Sequence, residues 1–155
     1  MKRNSETEDR NLDLLHVFRD ELGKASFPFL LTDVLQKTVS RPARRFYISA
    51  RRAKEIIVGM RAGHDLYMNE SKKKMVDEIT QRLEEREKES DRPMLHLLEE
   101  ILDEPAPEFY LKPTSAKVIL CKEVQKQKFI QQEQIKTRNE RIKQRNEKKR
   151  ILYRK

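Results

Sequence analysis

Cysteine occurs once in this sequence, at Cys121, so no disulfide can staple the chain within itself. A lone thiol reads most simply as a small buried apolar residue, here at the start of a helix. Tryptophan is absent, and aromatic residues make up 6% of the chain. The three glycines, Gly23, Gly59 and Gly63, are too scattered to form a glycine-rich phosphate loop. No window approaches 18 consecutive apolar residues, so no segment reads as a membrane span. Met1 to Arg10 is charged and has no apolar stretch behind it, which argues against a signal peptide. These absences predict a cytoplasmic or virion-internal protein. Hydrophobic residues are 36% and charged residues 39%, against typical shares of about 45–50% and about 25%. The core must be small, and part of the chain must be solvated on all sides. At 155 residues the chain is one domain, or one domain and a tail.

The charge is present but unevenly placed. The chain carries +9, and so does the stretch 122–155, with thirteen Lys or Arg against four Glu. Residues 1–121 sum to zero, with 22 basic and 22 acidic residues. A terminal surplus of this kind points to a polyanionic partner such as DNA or RNA.

The stretch Pro42–Ile57 has a second copy further along the chain, at Pro105–Leu120. Seven of sixteen positions are identical, where roughly one would match by chance at average residue usage. The shared anchors are Pro42 and Pro105, the pairs Phe46-Tyr47 and Phe109-Tyr110, and the alanines Ala53 and Ala116. Upstream, Val34-Leu35 align with Leu97-Leu98 and Val39 with Leu102. A fixed-offset repeat marks a recurring supersecondary unit, and one unit cannot bury its own apolar face. Each copy reads as helix, Pro-Ala turn, short extended aromatic segment, helix. Neighbouring Phe and Tyr on an extended segment face opposite sides, so one ring of each pair enters the core. The other covers the turn or meets a partner; for Tyr47 a stacked base is the sharper reading.

Helical periodicity supplies the remaining elements. Met1–Arg10 reads as a disordered terminus. Asn11 caps a helix over 12–22, stopped at Gly23. Pro28 suits the first turn of a second helix, which Pro42 ends. Ser49 caps a third over 50–60, with Ala53, Ile56, Ile57 and Met60 inward and Gly63 as a left-handed stop. Asn69 or Ser71 opens a charged helix to Glu89. Pro93 starts the most apolar one, ending near Leu102. Pro113 takes the first position of the last helix. The body is thus 11–121, with repeats at 28–63 and 91–121.

No proline or glycine follows Thr114, so the end of the chain reads as one helix of about 40 residues, roughly 60 Å long. One isoleucine per heptad, Ile135 and Ile142, is too sparse for a coiled coil. Glu133–Lys136, Glu140–Lys143 and Glu147–Arg150 are spaced to pair along it. The cations expected to meet phosphates are Lys136, Arg138, Arg141, Lys143, Arg145, Lys148, Lys149 and Arg150. Arg44, Arg45, Arg51 and Arg52 around the first turn form a second basic patch. The second turn carries Asp103, Glu104 and Glu108 instead. A basic turn meeting the acidic turn of another copy would build an oligomer, which is the alternative, structural or assembly reading.

Catalytic signatures are missing. His16, His64 and His96 lie in separate segments without metal-ligand spacing, and His96 with Glu100 makes at most a surface pair. The expectation is a non-enzymatic protein with no cofactor, no metal, no small-molecule substrate and no membrane partner. The motif Pro-Ala-x-x-Phe-Tyr-[Ile/Leu]-x-x-x-x-Ala-Lys, present in both copies, resembles one found in small uncharacterised proteins of Bacteroides-type phages and mobile elements. The resemblance covers the two copies and no more of the chain. It implies a phage or mobile-element setting and transfers no functional residue. The expected fold is all-α: two related helix–turn–helix-like units packed together, with a long basic helix after them.

Overall fold

The computed structural model describes residues 5–154, and these form six α-helices: α1 (Ser5–Lys24), α2 (Leu31–Ser40), α3 (Ala50–Arg61), α4 (Glu70–Glu89), α5 (Met94–Leu102) and α6 (Pro113–Leu152). The protein is all-helical. Among the described residues no helix is long and apolar enough to cross a membrane. The chain divides into two compact units, one through Leu120 and one from Cys121 onward.

In the first unit α1 packs on α2, α4 on α5, and α3 on α5 and α4. Apolar spacing explains which faces turn inward. In α2 the buried residues are Val34, Leu35, Thr38 and Val39; in α5 they are Leu97, Leu98, Ile101 and Leu102. Both sets follow the same i, i+1, i+4, i+5 pattern, at matched positions of the two copies. Thr38 occupies the position of Ile101, and its hydroxyl is satisfied by donating 2.7 Å to the Val34 carbonyl. Leu14 and Leu15 of α1, Ile56 and Ile57 of α3, and Val76, Ile79 and Leu83 of α4 are buried with them.

The repeat anchors hold matched places. Ala53 in α3 and Ala116 in the first turn of α6 are both buried. Their N–H groups close equivalent helical turns, Ala53 onto the Ser49 carbonyl at 3.0 Å and Ala116 onto the Lys112 carbonyl at 2.9 Å. A small side chain at this position lets each helix start lie close against the core.

The two Pro-Ala turns, which begin at Pro42 and Pro105, meet each other. Ala43 and Ala106 exchange both backbone hydrogen bonds, at 2.9 and 3.0 Å, in an isolated antiparallel bridge. Phe46 N–H donates to the Leu102 carbonyl and Phe109 N–H to the Val39 carbonyl, each at 3.1 Å. The rings follow the same exchange. Phe46 stacks on Tyr110 with centroids 6.2 Å apart, and Tyr47 on Phe109 at 6.0 Å. Both phenylalanines are buried, while both tyrosines stay partly exposed.

Several boundaries differ from the sequence expectation. The first helix starts at Ser5, so 5–10 are helical; Met1–Asn4 lie outside the described residues. Glu6 and Glu8 in its first turn favour the helix dipole, a contribution that apolar periodicity does not register. Gly23 lies within α1 and does not stop it. The second helix begins at Leu31, beyond Pro28, with no side-chain cap. Pro93 sits at the N-cap of α5. The aromatic segments are not strands: the one β-type contact among the described residues is the Ala43–Ala106 bridge, and Tyr110 turns left-handed at φ 56°. Cys121 is exposed within α6 and is not a buried helix-start residue. Ser49 and Asn69 do cap α3 and α4, accepting from the N–H groups of Arg52 and Lys72. Gly63 does adopt a left-handed φ of 80°.

Candidate nucleic-acid interface

The second unit is helical over 121–152, a rod of about 48 Å at 1.5 Å per residue. Glutamine, lysine, arginine and glutamate favour the helix by propensity, and near its start Glu123 is buried. Every described residue from 128 to 154 is exposed, including all eight expected cations. Of the three expected pairs, only Lys136–Glu133 forms, at 3.7 Å. Glu140–Lys143 and Glu147–Arg150 do not come within pairing distance, because such exposed contacts gain too little to hold two long side chains in place.

The charges on this rod are segregated by helical phase. At about 100° per residue, Arg138, Arg141, Arg145, Lys148 and Lys149 fall within an arc of about 100°. Glu133, Glu140 and Glu147 cluster within about 40° on a different face. Lys136, Lys143 and Arg150 form a third group beyond the glutamates. Arg141, Arg145 and Lys149 follow one another at i,i+4, which places like charges side by side and costs helix stability. A polyanion laid along that face would relieve the repulsion.

The four expected arginines of the first unit have different partners. Arg44 donates to Asp13 of α1 at 3.1 Å, and the carboxylate raises its pKa. Arg51 is 92% exposed beside Glu55, and Arg52 pairs with the same Glu55 at 3.2 Å. Arg45 lies over the Tyr47 ring, 5.8 Å from its centroid. Tyr47 is itself held: its hydroxyl donates to Asp13 at 2.5 Å. Phe109 stacks on the Tyr47 ring with centroids 6.0 Å apart, and Tyr47 stays partly exposed.

Part of the charge of each turn is paired within the first unit. Arg41 pairs with Asp20 and Glu21 of α1. At the matching place in the second motif Glu104 pairs with Arg86 and Arg82 of α4. The signs are exchanged, but each turn is tied to the helix that precedes its own motif. Within the chain the two turns meet each other, and Arg41 and Glu104 are tied to α1 and α4.

The two motif tyrosines predict an alkaline limit to stability. Burial is the main cause that raises both pKa values, and for Tyr47 the Asp13 hydrogen bond adds to it. Tyr110 is pushed up to about 12. An unfolded tyrosine ionises near pH 10. The stabilising neutral phenols are thus intact below about pH 10, and their contribution is lost as pH climbs through the folded values. In an absorbance titration at 295 nm, ionisation of Tyr47 and Tyr110 should coincide with loss of helical circular dichroism above about pH 10. Ionisation of both well before any loss of helix would contradict this packing.

No metal-binding group of three or more His, Cys, Asp or Glu occurs among the described residues. The fold and site define an all-helical protein with a segregated cationic helix at its C-terminal end. No protein-family model, curated protein or solved structure matches the chain.

Proposed function

We propose that this is a non-enzymatic nucleic-acid-binding protein that holds the phosphate backbone of DNA or RNA along its C-terminal helix, in the phage or mobile-element setting its motif suggests. The observation that carries the reading is the exposed arc of Arg138, Arg141, Arg145, Lys148 and Lys149, which has no ion pair among the described residues. Phosphate contacts give affinity without reading sequence, so binding should be weakly selective among sequences. The shared register of α2–α3 and α5–α6 supports descent of the first unit from one duplicated helix–turn–helix-like element.

The test is the salt dependence of binding by the full chain. With six phosphates neutralised, log K against log salt should fall with a slope of about −5 on duplex DNA. Light scattering should show a mass that shifts on adding DNA at low salt and returns at high salt. A slope near zero, or a discrete oligomer that ignores DNA, would sink the proposal.

A further inference from the structure

A cavity of about 600 Å³ opens at the seam where the two motifs meet. Its wall is built from matched positions of the two copies: Phe46 with Phe109, Tyr47 with Tyr110, Ile48 with Leu111. The match breaks in the polar lining. Arg45 corresponds to Glu108, and Arg10 of α1 to Met75 of α4 when the two helices are aligned from their first residues, Ser5 and Glu70. Arg52 and Lys72 add two more cations, so four positive groups face the hollow against one carboxylate.

Those cations are poorly satisfied by the protein. The Arg45 Nε is buried, and among the described residues no atom accepts its proton. A buried donor of this kind calls for a partner. A smaller hollow on another side of Arg45 carries Glu6, Glu99 and Asp103, yet none forms an ion pair with it among the described residues. Among the described residues Arg10 donates to the adjacent Asn11 alone, at 3.1 and 3.2 Å. Burial lowers its pKa, as expected for a cation drawn from water. Lys72 makes no ion pair among the described residues. Arg52 alone is paired, with Glu55.

We infer that this cavity binds a small phosphate-bearing anion, held by Arg45 and Arg10 inside and by Lys72 and Arg52 at the rim. The planar guanidinium fork matches two phosphate oxygens at once. The volume falls within the range of about 300–1,000 Å³ typical of ligand sites. Three surplus positive charges favour a diphosphate over a single phosphate. The site lies in the first unit and does not depend on the C-terminal helix reading. Two sources share this chemistry: a free phosphorylated compound, or the terminal phosphate of a nucleic-acid strand.

Inorganic pyrophosphate is the probe, titrated calorimetrically into the full chain at about 0.15 M salt to screen diffuse binding by the exposed helix. One-site binding is expected, weakened about tenfold by Lys72→Gln and by Arg45→Gln, and unchanged in the Lys148→Gln/Lys149→Gln variant. Lys72 is only partly buried, so its variant folds, and thermal denaturation checks the same for Arg45→Gln. The Tyr47 and Tyr110 ring signals should shift in NMR spectra on binding. A preference for a 5′-phosphorylated oligonucleotide over its 5′-hydroxyl twin, lost in Lys72→Gln, would assign the strand end as the source. Equal binding of the two oligonucleotides, with pyrophosphate still bound, would assign the free compound. Absence of saturable pyrophosphate binding, or binding lost in the Lys148/Lys149 variant and retained in Lys72→Gln, would overturn the inference.

Discussion

Replacing Arg138, Arg141, Arg145 and Lys148 together by glutamine should lower affinity for duplex DNA about 10³-fold at about 0.1 M salt. Each phosphate contact releases counterions and contributes about 0.9 to the log–log salt slope. Removing four contacts should therefore take roughly 3 to 4 off its magnitude. Neutralising Lys136, Lys143 and Arg150, the group beyond the glutamates, should cost much less, because one face of a straight helix meets a duplex at a time. Circular dichroism of the four-site variant should show helix content retained or raised, since the like-charge neighbours Arg141 and Arg145 are gone. Equal losses from both groups would mean a diffuse cation cloud in place of a binding face. No loss from either would remove the helix from the function altogether.

The Phe46→Ala variant should lose about 3–5 kcal/mol of stability, the range for truncating a buried aromatic side chain. Phe46 is 1% exposed. Its ring stacks on Tyr110, Arg82 lies 5.0 Å from its centroid, and its N–H reaches Leu102. The side chain thus joins the first motif to the second and to α4, and alanine would leave a void where all three converge. The midpoint of thermal unfolding should fall by roughly 10 °C or more for a unit of this size. Near-ultraviolet tyrosine signals should report the change, because Tyr47 and Tyr110 lie at the same seam. Phe129→Ala is the control: that ring is 64% exposed, and its loss should change stability by less than about 0.5 kcal/mol. Similar losses from the two variants would show that the seam is not where the first unit is held together.

The sequence carried the helices well where local physics dominates. Ser49 and Asn69 cap as their types suggest, Pro113 opens α6, and Gly63 turns left-handed. Of the apolar positions expected in the second helix, Val34, Leu35, Thr38 and Val39 are buried, whereas Leu30 and Leu31 are exposed. Ala53 and Ala116 are buried at the same turn of their helices, as their shared place in the repeat suggested. The start of α1 was missed because Ser5–Arg10 is polar and carries no apolar stripe to read. The likeness of α1 and α4, both 20 residues long, was hidden by a shorter linker before α5 and by few shared residues.

The candidate sites divide in the same way. Clustering of cations on one face of the C-terminal helix follows from residue numbers once the helix is granted. The seam cavity does not: Arg10, Arg45 and Lys72 are brought together from α1, the first turn and α4, and no local spacing announces them. Likewise, the ties of Arg41 to α1 and of Glu104 to α4 join residues that no local spacing puts together.

By itself the sequence determined six helical segments and the placing of all net positive charge beyond residue 121. Those properties rest on hydrogen bonds that close within a single helical turn and on side chains whose phase repeats every turn. Tertiary structure alone decided that the two Pro-Ala turns bridge each other, that each Phe stacks on the other motif's Tyr, and that four cations share a hollow there. Such contacts join residues far apart in the chain. Their partners are chosen by which apolar faces can be buried together, and no single stretch of chain encodes that choice.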